Sequence, residues 1–300
     1  MISKNRNFNH RDEAINNFAK RHNILKTEMV QREGLGIYWT LRIKNEIDDQ
    51  LSKIGSELDD QPSWGLFLSM LDRTFEYLEG AITAYVTEST ATSEIVSRSV
   101  IESATNFIYI LTGDENGERL AQYFRKYFDN ENNEIEKWLE IAKTLPQESG
   151  RIHKSSAFDK RKYLNQQKNL INIALSQIGL LTTDRVTTKW PNIFERFKKI
   201  GLEIDYRTIY SALSSQTHSD AEDLLNYFIF QALGDEEAVL EIAVKTVNFS
   251  RLMLYFGIQY YLVAAGAYAI RFELTDTLKN IEKGREEIRQ KLGEIALMLR

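Results

Sequence analysis

Apolar side chains recur at intervals of three and four residues along most of this chain. Such intervals place them on one face of an α-helix. The chain has only 3 Pro and 15 Gly among its 300 residues, and these residues are the usual breaks between elements. The pattern therefore predicts an all-α fold, with helices over residues 37–54, 64–88, 93–111, 118–143, 168–181, 190–200 and 205–232.

The most apolar stretch covers residues 252–270 and reads LMLYFGIQYYLVAAGAYAI, with Gln259 as its one strongly polar side chain. It is long enough to span a bilayer. However, its four tyrosines lie within the stretch rather than only at its ends, and the chain has no second segment of this kind. A helix that is apolar on all sides is typical of the centre of a large bundle. We therefore predict a multi-helix bundle around this central helix and no association with a membrane.

The clearest periodicity lies at the C-terminal end, where apolar positions follow one another at intervals of four and three residues. This is the a/d pattern of a coiled coil, and its seam is formed by Leu274, Leu278, Ile281, Arg285, Ile288, Leu292, Ile295 and Leu299. Because such a seam must be covered, we predict a coiled-coil-like helix and a homo-oligomer that forms through it. The alternative is that the seam folds back onto the chain's own bundle.

No linker rich in Gly, Ser or Pro divides the chain. The periodicity suggests an N-terminal helical region over 1–62, a helical core domain over 63–272 and the C-terminal helix over 273–300. Within the core, residues 147–162 read QESGRIHKSSAFDKRK, which is polar, basic and rich in small residues. We predict an exposed loop there.

Composition excludes several classes of chemistry. The chain has no Cys, so disulfides, thiolate metal sites and cysteine nucleophiles are excluded. Its four His lie far apart, and the common phosphate-loop, dinucleotide and hydrolase motifs are missing. We therefore predict neither a metal nor a cofactor. The net charge of −5 gives no support to nucleic acid or a nucleotide as a partner, although both stay open.

The compartment is also suggested by composition. A chain without Cys fits a reducing environment, and the first residues show no apolar segment of the signal-peptide kind. We predict a cytoplasmic protein.

Two predicted helices carry polar side chains on otherwise apolar patterns. In the first, Arg98, Glu102 and Asn106 or Thr105 lie on one stripe. In the second, Tyr210, Ser214 and His218 recur every four residues among small neighbours. Either stripe is explained by a functional site or by a buried ladder of hydrogen bonds that fixes helix packing.

The segment WPNIFERFKKIGL at residues 190–202, followed by Tyr206 and by Tyr210-x-x-x-Ser214-x-x-x-His218, resembles an uncharacterised bacterial family, a numbered domain of unknown function. The upstream helix RSVIESATNFIYIL, with Arg98 and Glu102, resembles the Arg-x-x-x-Glu helix of that family. The resemblance spans roughly residues 65–270. It implies an all-helical fold in which the two polar stripes belong to one constellation, and it implies no particular activity.

A more distant similarity is to the helical nucleases of bacterial toxin and antiviral systems, in which an Arg precedes a His by four to six residues. This chain departs from that pattern, because Arg207 precedes His218 by eleven positions.

Two functional hypotheses follow. In the first, Arg98, Glu102, Tyr210, Ser214 and His218 form a catalytic or ligand site for phosphodiester or nucleotide substrates, in a defence or toxin role by family analogy. His218 would be the general acid or base, Arg98 would bind an anion, and Glu102 would orient Arg98 or His218. In the second, the chain is a non-catalytic oligomeric scaffold whose stripes are structural. Whether it is an enzyme stays open.

Overall fold

The computed structural model describes residues 3–24, 27–54, 63–113, 117–211, 228 and 236–299. It is 85% helical, and no strand occurs within these ranges. The all-α prediction is therefore confirmed. The helices are α1 Ser3–Arg21, α2 Thr27–Arg32, α3 Gly34–Ile54, α4 Trp64–Val86, α5 Thr90–Leu111, α6 Glu118–Ala142, α7 Gln147–Gln177, α8 Ile193–Lys199, α9 Glu203–Asp205, α10 Glu236–Arg271 and α11 Thr275–Leu297.

The chain divides into two compact units. The first contains Met1–Leu111 and Ile193–Arg300, and the second contains Thr112–Asn192. The three regions expected from the sequence, 1–62, 63–272 and 273–300, divide the chain differently from these two units. That division stays a prediction.

The first unit is built around α10, which packs against α3, α4, α5 and α11. Within it, Ala243–Arg271 is long and apolar enough to cross a membrane, but 72% of its most apolar window is buried inside the chain. Tyr255, Tyr261 and Tyr268 have no exposed surface. The prediction of a central apolar helix is confirmed.

The second unit is a hairpin in which α6 and α7 pack against each other. Its core contains Phe128 and Ile135 from α6 and Ala157 and Leu164 from α7. The loop predicted over residues 147–162 is wrong, because these residues form the first half of α7. Over these residues only Gly150 and Ala157 are buried, so the stretch lacks the apolar face by which a helix is recognised from sequence.

The apolar seam of α11 is buried within the chain. Ile281, Ile288 and Ile295 are at most 1% exposed, and α11 packs against α10 and α3. This is the arrangement of the intramolecular alternative. Self-association through the C-terminal helix stays a prediction, and it would have to use the exposed side of α11.

Gly284 and Gly293 form a matched pair on α11. A Cβ at Gly284 would lie 2.8 Å from Cε3 of the buried Trp39, whereas a Cβ at Gly293 would meet nothing within 4 Å. We expect Gly284→Ala to destabilise the chain by about 1–2 kcal/mol through overpacking. Gly293→Ala should stabilise it by up to about 1 kcal/mol because Ala is the better helix former. Urea denaturation measures both, and equal shifts of the two midpoints would contradict the Trp39 contact.

Five core tyrosines predict alkaline unfolding. Burial raises the pKa of Tyr85 to about 12 and raises those of Tyr255, Tyr260, Tyr261 and Tyr268 further. An unfolded tyrosine ionises near pH 10, so above that pH the unfolded chain releases protons that the folded chain retains. Stability should therefore fall as pH rises, by about 1.4 kcal/mol per pH unit for each protected tyrosine.

Phenolate absorbance and far-ultraviolet circular dichroism, followed together, test this expectation. The exposed Tyr127 and Tyr163 should ionise while the helices remain, and the core tyrosines should ionise only as helix signal is lost. Ionisation of all 14 tyrosines with an unchanged dichroism spectrum would contradict it.

Candidate functional site

The first wall of the site is the polar edge of α5. Val100, Ile101 and Ala104 are fully buried, and α5 packs against α4 and α10. Arg98 and Glu102, one turn apart, are only partly buried and lie at the edge of this packed face.

The second wall follows α8. Gly201 ends that helix with a φ of +78°, a conformation that favours glycine. After α9, residues Tyr206–Tyr210 form a single π-turn, in which the backbone N–H of Ser211 donates to the carbonyl of Tyr206. Wide turns of this kind are frequent at functional sites. Here the turn stacks the rings of Tyr206 and Tyr210 with centroids 5.5 Å apart and an interplanar angle of 23°.

Tyr210 connects the two walls. Its hydroxyl donates to Oε2 of Glu102 at 2.9 Å and accepts from Nη2 of Arg98 at 3.3 Å. The Arg98 guanidinium also lies 5.0 Å from the centroid of the Tyr210 ring, within reach of a cation–π contact. The structure therefore brings Arg98, Glu102 and Tyr210 together.

Arg196 is a fourth member that the sequence reasoning missed. Its Nη2 lies 3.8 Å from Oε1 of Glu102, and its side chain is 7% exposed against 41% for Glu102. A signal for it existed in the sequence. Arg196 falls between Ile193, Phe197 and Ile200 on the apolar stripe of a short helix, and a charge on a buried stripe needs a partner.

The electrostatics fix the protonation of Tyr210. Burial, the largest effect, and the charge of Glu102 raise the pKa of its hydroxyl, while the hydrogen bond from Arg98 acts in the opposite direction. Tyr210 is therefore a neutral hydroxyl at physiological pH, and it serves as a hydrogen-bond donor to Glu102 rather than as a base.

Of the remaining residues of the predicted stripes, two lie on α5 and two lie outside the described residues. Thr105 is fully buried and Asn106 is partly buried on α5. Ser214 and His218 lie outside the described residues, as does most of the helix predicted over 205–232. Among the described residues, no group of three or more His, Asp or Glu is placed to hold a metal ion. The catalytic roles stay predictions.

The fold and the site thus define the class of this protein: it is an all-helical bundle with an Arg–Glu–Tyr cluster at one edge. The chain belongs to the Family of unknown function (DUF5677), whose sequence model matches residues 65–236. This match covers every residue of the predicted site. Comparison with curated proteins and with solved structures gave no match.

A second polar cluster lies in the core. Nε of Arg251 on α10 is 2.9 and 3.0 Å from the two carboxylate oxygens of Glu33, and these residues are 4% and 1% exposed. Nearby, Ser250 donates to the buried carboxylate of Glu94. These contacts hold α10 against the start of α3 and against α5, and we interpret them as structural.

Breaking the buried ion pair is expected to lower the free energy of unfolding strongly. Glu33→Gln leaves the Arg251 charge without its counter-ion and should destabilise the chain by about 3–5 kcal/mol. Arg251→Met in the same chain should recover part of that loss, because the buried charge is then removed. A double-mutant cycle by urea denaturation measures the coupling. Additive effects of the two substitutions would contradict the pairing.

Proposed function

We propose that Arg98, Glu102 and Tyr210 form a site that binds and hydrolyses a phosphate-bearing ligand, a nucleotide or a phosphodiester. Glu102 is the proton acceptor, Arg98 binds the anion, and Tyr210 and Arg196 hold the Glu102 carboxylate in place. The observation that carries this proposal is that the Glu102 carboxylate is both held in place by neighbouring side chains and accessible to solvent. Its side chain remains 41% exposed although it is positioned by Tyr210 and contacted by Arg196.

Orientation and access together support a reactive carboxylate. A carboxylate that only fixed helix packing would need no access to solvent, although burying it would cost desolvation free energy. A general base must instead reach water or substrate while its geometry is held. Glu102 satisfies both conditions, since it lies on a rigid helix beside the π-turn.

Arg98 supports the choice of ligand. A guanidinium presents donors in a plane that matches phosphate oxygens. Arg98 lies against the Tyr210 ring and is partly exposed, so its side chain is accessible from solvent. On the sequence pattern alone, His218 is assigned as the acid that protonates the leaving oxygen.

The second candidate function is a non-catalytic scaffold. One observation favours it: Tyr210 is only 4% exposed, so its hydrogen bond to Glu102 also stabilises the packing of the π-turn on α5. In that case Glu102→Gln would lower stability and change nothing else.

The decisive variant is Glu102→Gln, which keeps the shape of the side chain and removes its basicity. We expect hydrolysis of bis(p-nitrophenyl) phosphate and of short oligonucleotides to fall by about 100-fold or more. Binding of nucleotides, followed by thermal shift, should persist. Glu76→Gln is the matched control, because Glu76 forms an exposed ion pair with Arg73 on α4.

Three results would decide against the proposal. They are absence of both turnover and nucleotide binding in the unmodified chain, unchanged turnover in Glu102→Gln, and equal loss of turnover in Glu76→Gln. Comparison of melting temperatures separates lost chemistry from lost folding.

The biological setting is part of the same proposal. We infer a cytoplasmic protein whose activity on nucleotides or nucleic acid serves a defence or toxin role. Expression of the chain and of Glu102→Gln in the same cells tests this. Growth arrest with the first and normal growth with the second is expected.

A further inference from the structure

A polar cleft lies within the second unit, between α6 and the segment 183–190, which comes after α7 in the chain. Its volume is about 300 Å³, at the lower end of the range of small-molecule sites. The cleft is therefore of a size for a small metabolite, and it is too small to hold part of a folded protein.

One wall of the cleft is a polar stripe of α6. Gln122, Lys126, Asn130 and Asn133 line the cleft and follow one another at intervals of four and three residues, so they share one face of the helix. Phe128, two residues after Lys126, lies on the other side of α6 in the core of the hairpin. Packing of the hairpin thus fixes the direction in which the polar stripe points.

The other wall is the segment 183–190, which two contacts hold against α6. Nη1 of Arg125 donates to the carbonyl of Val186, and Nε2 of Gln122 donates to Oγ1 of Thr188 at 2.5 Å. Val186 itself is 2% exposed. Because the wall is positioned before any ligand arrives, binding costs less conformational entropy.

Positive charge dominates the cleft, although the chain as a whole carries a net charge of −5. Arg125, Lys126 and Lys189 line it together with one carboxylate, that of Asp129. Asp129 lies 3.6 Å from Arg125 and partly balances it. Lys126 and Lys189 are exposed, and neither forms an ion pair within the part of the chain that the structure describes. Two such ammonium groups in one cleft attract an anion.

Neutral polar groups complete the lining. Asn130 and Asn133 are exposed, and each carries an amide that can both donate and accept a hydrogen bond. Thr188 is engaged elsewhere, because its hydroxyl donates to Glu118 at 2.6 Å, and Glu118 does not line the cleft. The two amides suit the edge of a ring that has donors and acceptors of its own.

The cleft also contains an aromatic surface. Trp190 lines it and is half-buried. Its ring packs edge to face against that of Tyr123, with centroids 5.3 Å apart and an interplanar angle of 63°, and this contact orients the indole. An aromatic ring beside cationic groups is the combination by which proteins hold the base and the phosphate of nucleotides.

We infer that this cleft binds a mononucleotide. Lys126 and Lys189 bind the phosphate, Trp190 contacts the base, and the two asparagine amides bond to the edge of the base. Inorganic phosphate would use only the lysines, and a nucleoside would use only the aromatic and amide groups. The site is separate from the one proposed above, whose residues belong to the first unit.

Nuclear magnetic resonance of the full chain with ¹⁵N-labelled tryptophan tests this inference. The Trp190 indole signal is assigned through Trp190→Phe. Adenosine monophosphate should shift this signal in a saturable way at submillimolar concentration. The signal of Trp39 should stay in place, because that indole is buried and donates to Glu287 at 2.9 Å.

Lys126→Gln combined with Lys189→Gln removes both ammonium groups. We expect this double variant to weaken binding of adenosine monophosphate by at least about 10-fold, because charge-assisted contacts to the phosphate are lost. Both lysines are exposed, so the melting temperature should persist.

The matched control is Lys137→Gln combined with Lys143→Gln. It makes the same change of charge at the C-terminal end of α6, where these lysines pair with Glu134 and Glu140 and do not line the cleft. Binding should be unchanged in this control and in Glu102→Gln.

A Trp190 signal that does not move with adenosine monophosphate would overturn the inference. Equally tight binding of inorganic phosphate or of adenosine would also overturn it, since one half of the cleft would then suffice. Binding that is lost in Glu102→Gln and kept in the double lysine variant would place the nucleotide at the site of the first unit. That result would reject the cleft and leave the proposed function standing.

Discussion

Burial of residues 250–269 of α10 on nearly every side is the constraint on which the first unit depends. A helix that is apolar all round has no face to present to water, so other helices must surround it. Each polar group carried inside must then find a partner. Arg251 does so with Glu33, and the hydroxyl of Tyr260 donates to Asp205 at 2.8 Å.

The Tyr260 contact couples this core to the candidate site. Asp205 is the last residue of α9 and immediately precedes the π-turn. Phe197, which is fully buried, contacts both Tyr260 and Tyr210 with ring centroids 6.1 and 5.5 Å away. The position of Tyr210 against Glu102 is therefore determined by the same packing that buries α10. A site supported in this way is held by rigid elements, which favours a fixed geometry for chemistry or for recognition.

The sequence predicted the helices well because the spacing of apolar residues directly reflects which face is buried. It failed over residues 147–162, since α7 buries so little of its surface there that its composition resembles a loop. It placed Arg98, Glu102 and Tyr210 on stripes that the structure brings together. It missed Arg196, although the position of this residue on the apolar stripe of α8 indicated a buried charge; the carboxylate that Arg196 contacts depends on tertiary packing. The helix predicted to begin at residue 93 begins earlier, at Thr90. Ser93 lies within α5 and donates to the carbonyl of Ala81.

The central claim is that the site formed by Arg98, Glu102 and Tyr210 binds a phosphate-bearing ligand. Nuclear magnetic resonance of the chain with ¹⁵N-labelled arginine tests it most directly, with the Arg98 signal assigned through Arg98→Lys. Addition of a dinucleotide should shift the Arg98 side-chain resonance in a saturable way. The Arg42 resonance should stay in place, because its guanidinium donates to Glu46, Tyr38 and Asn280. An Arg98 resonance that does not move at millimolar dinucleotide would contradict the account.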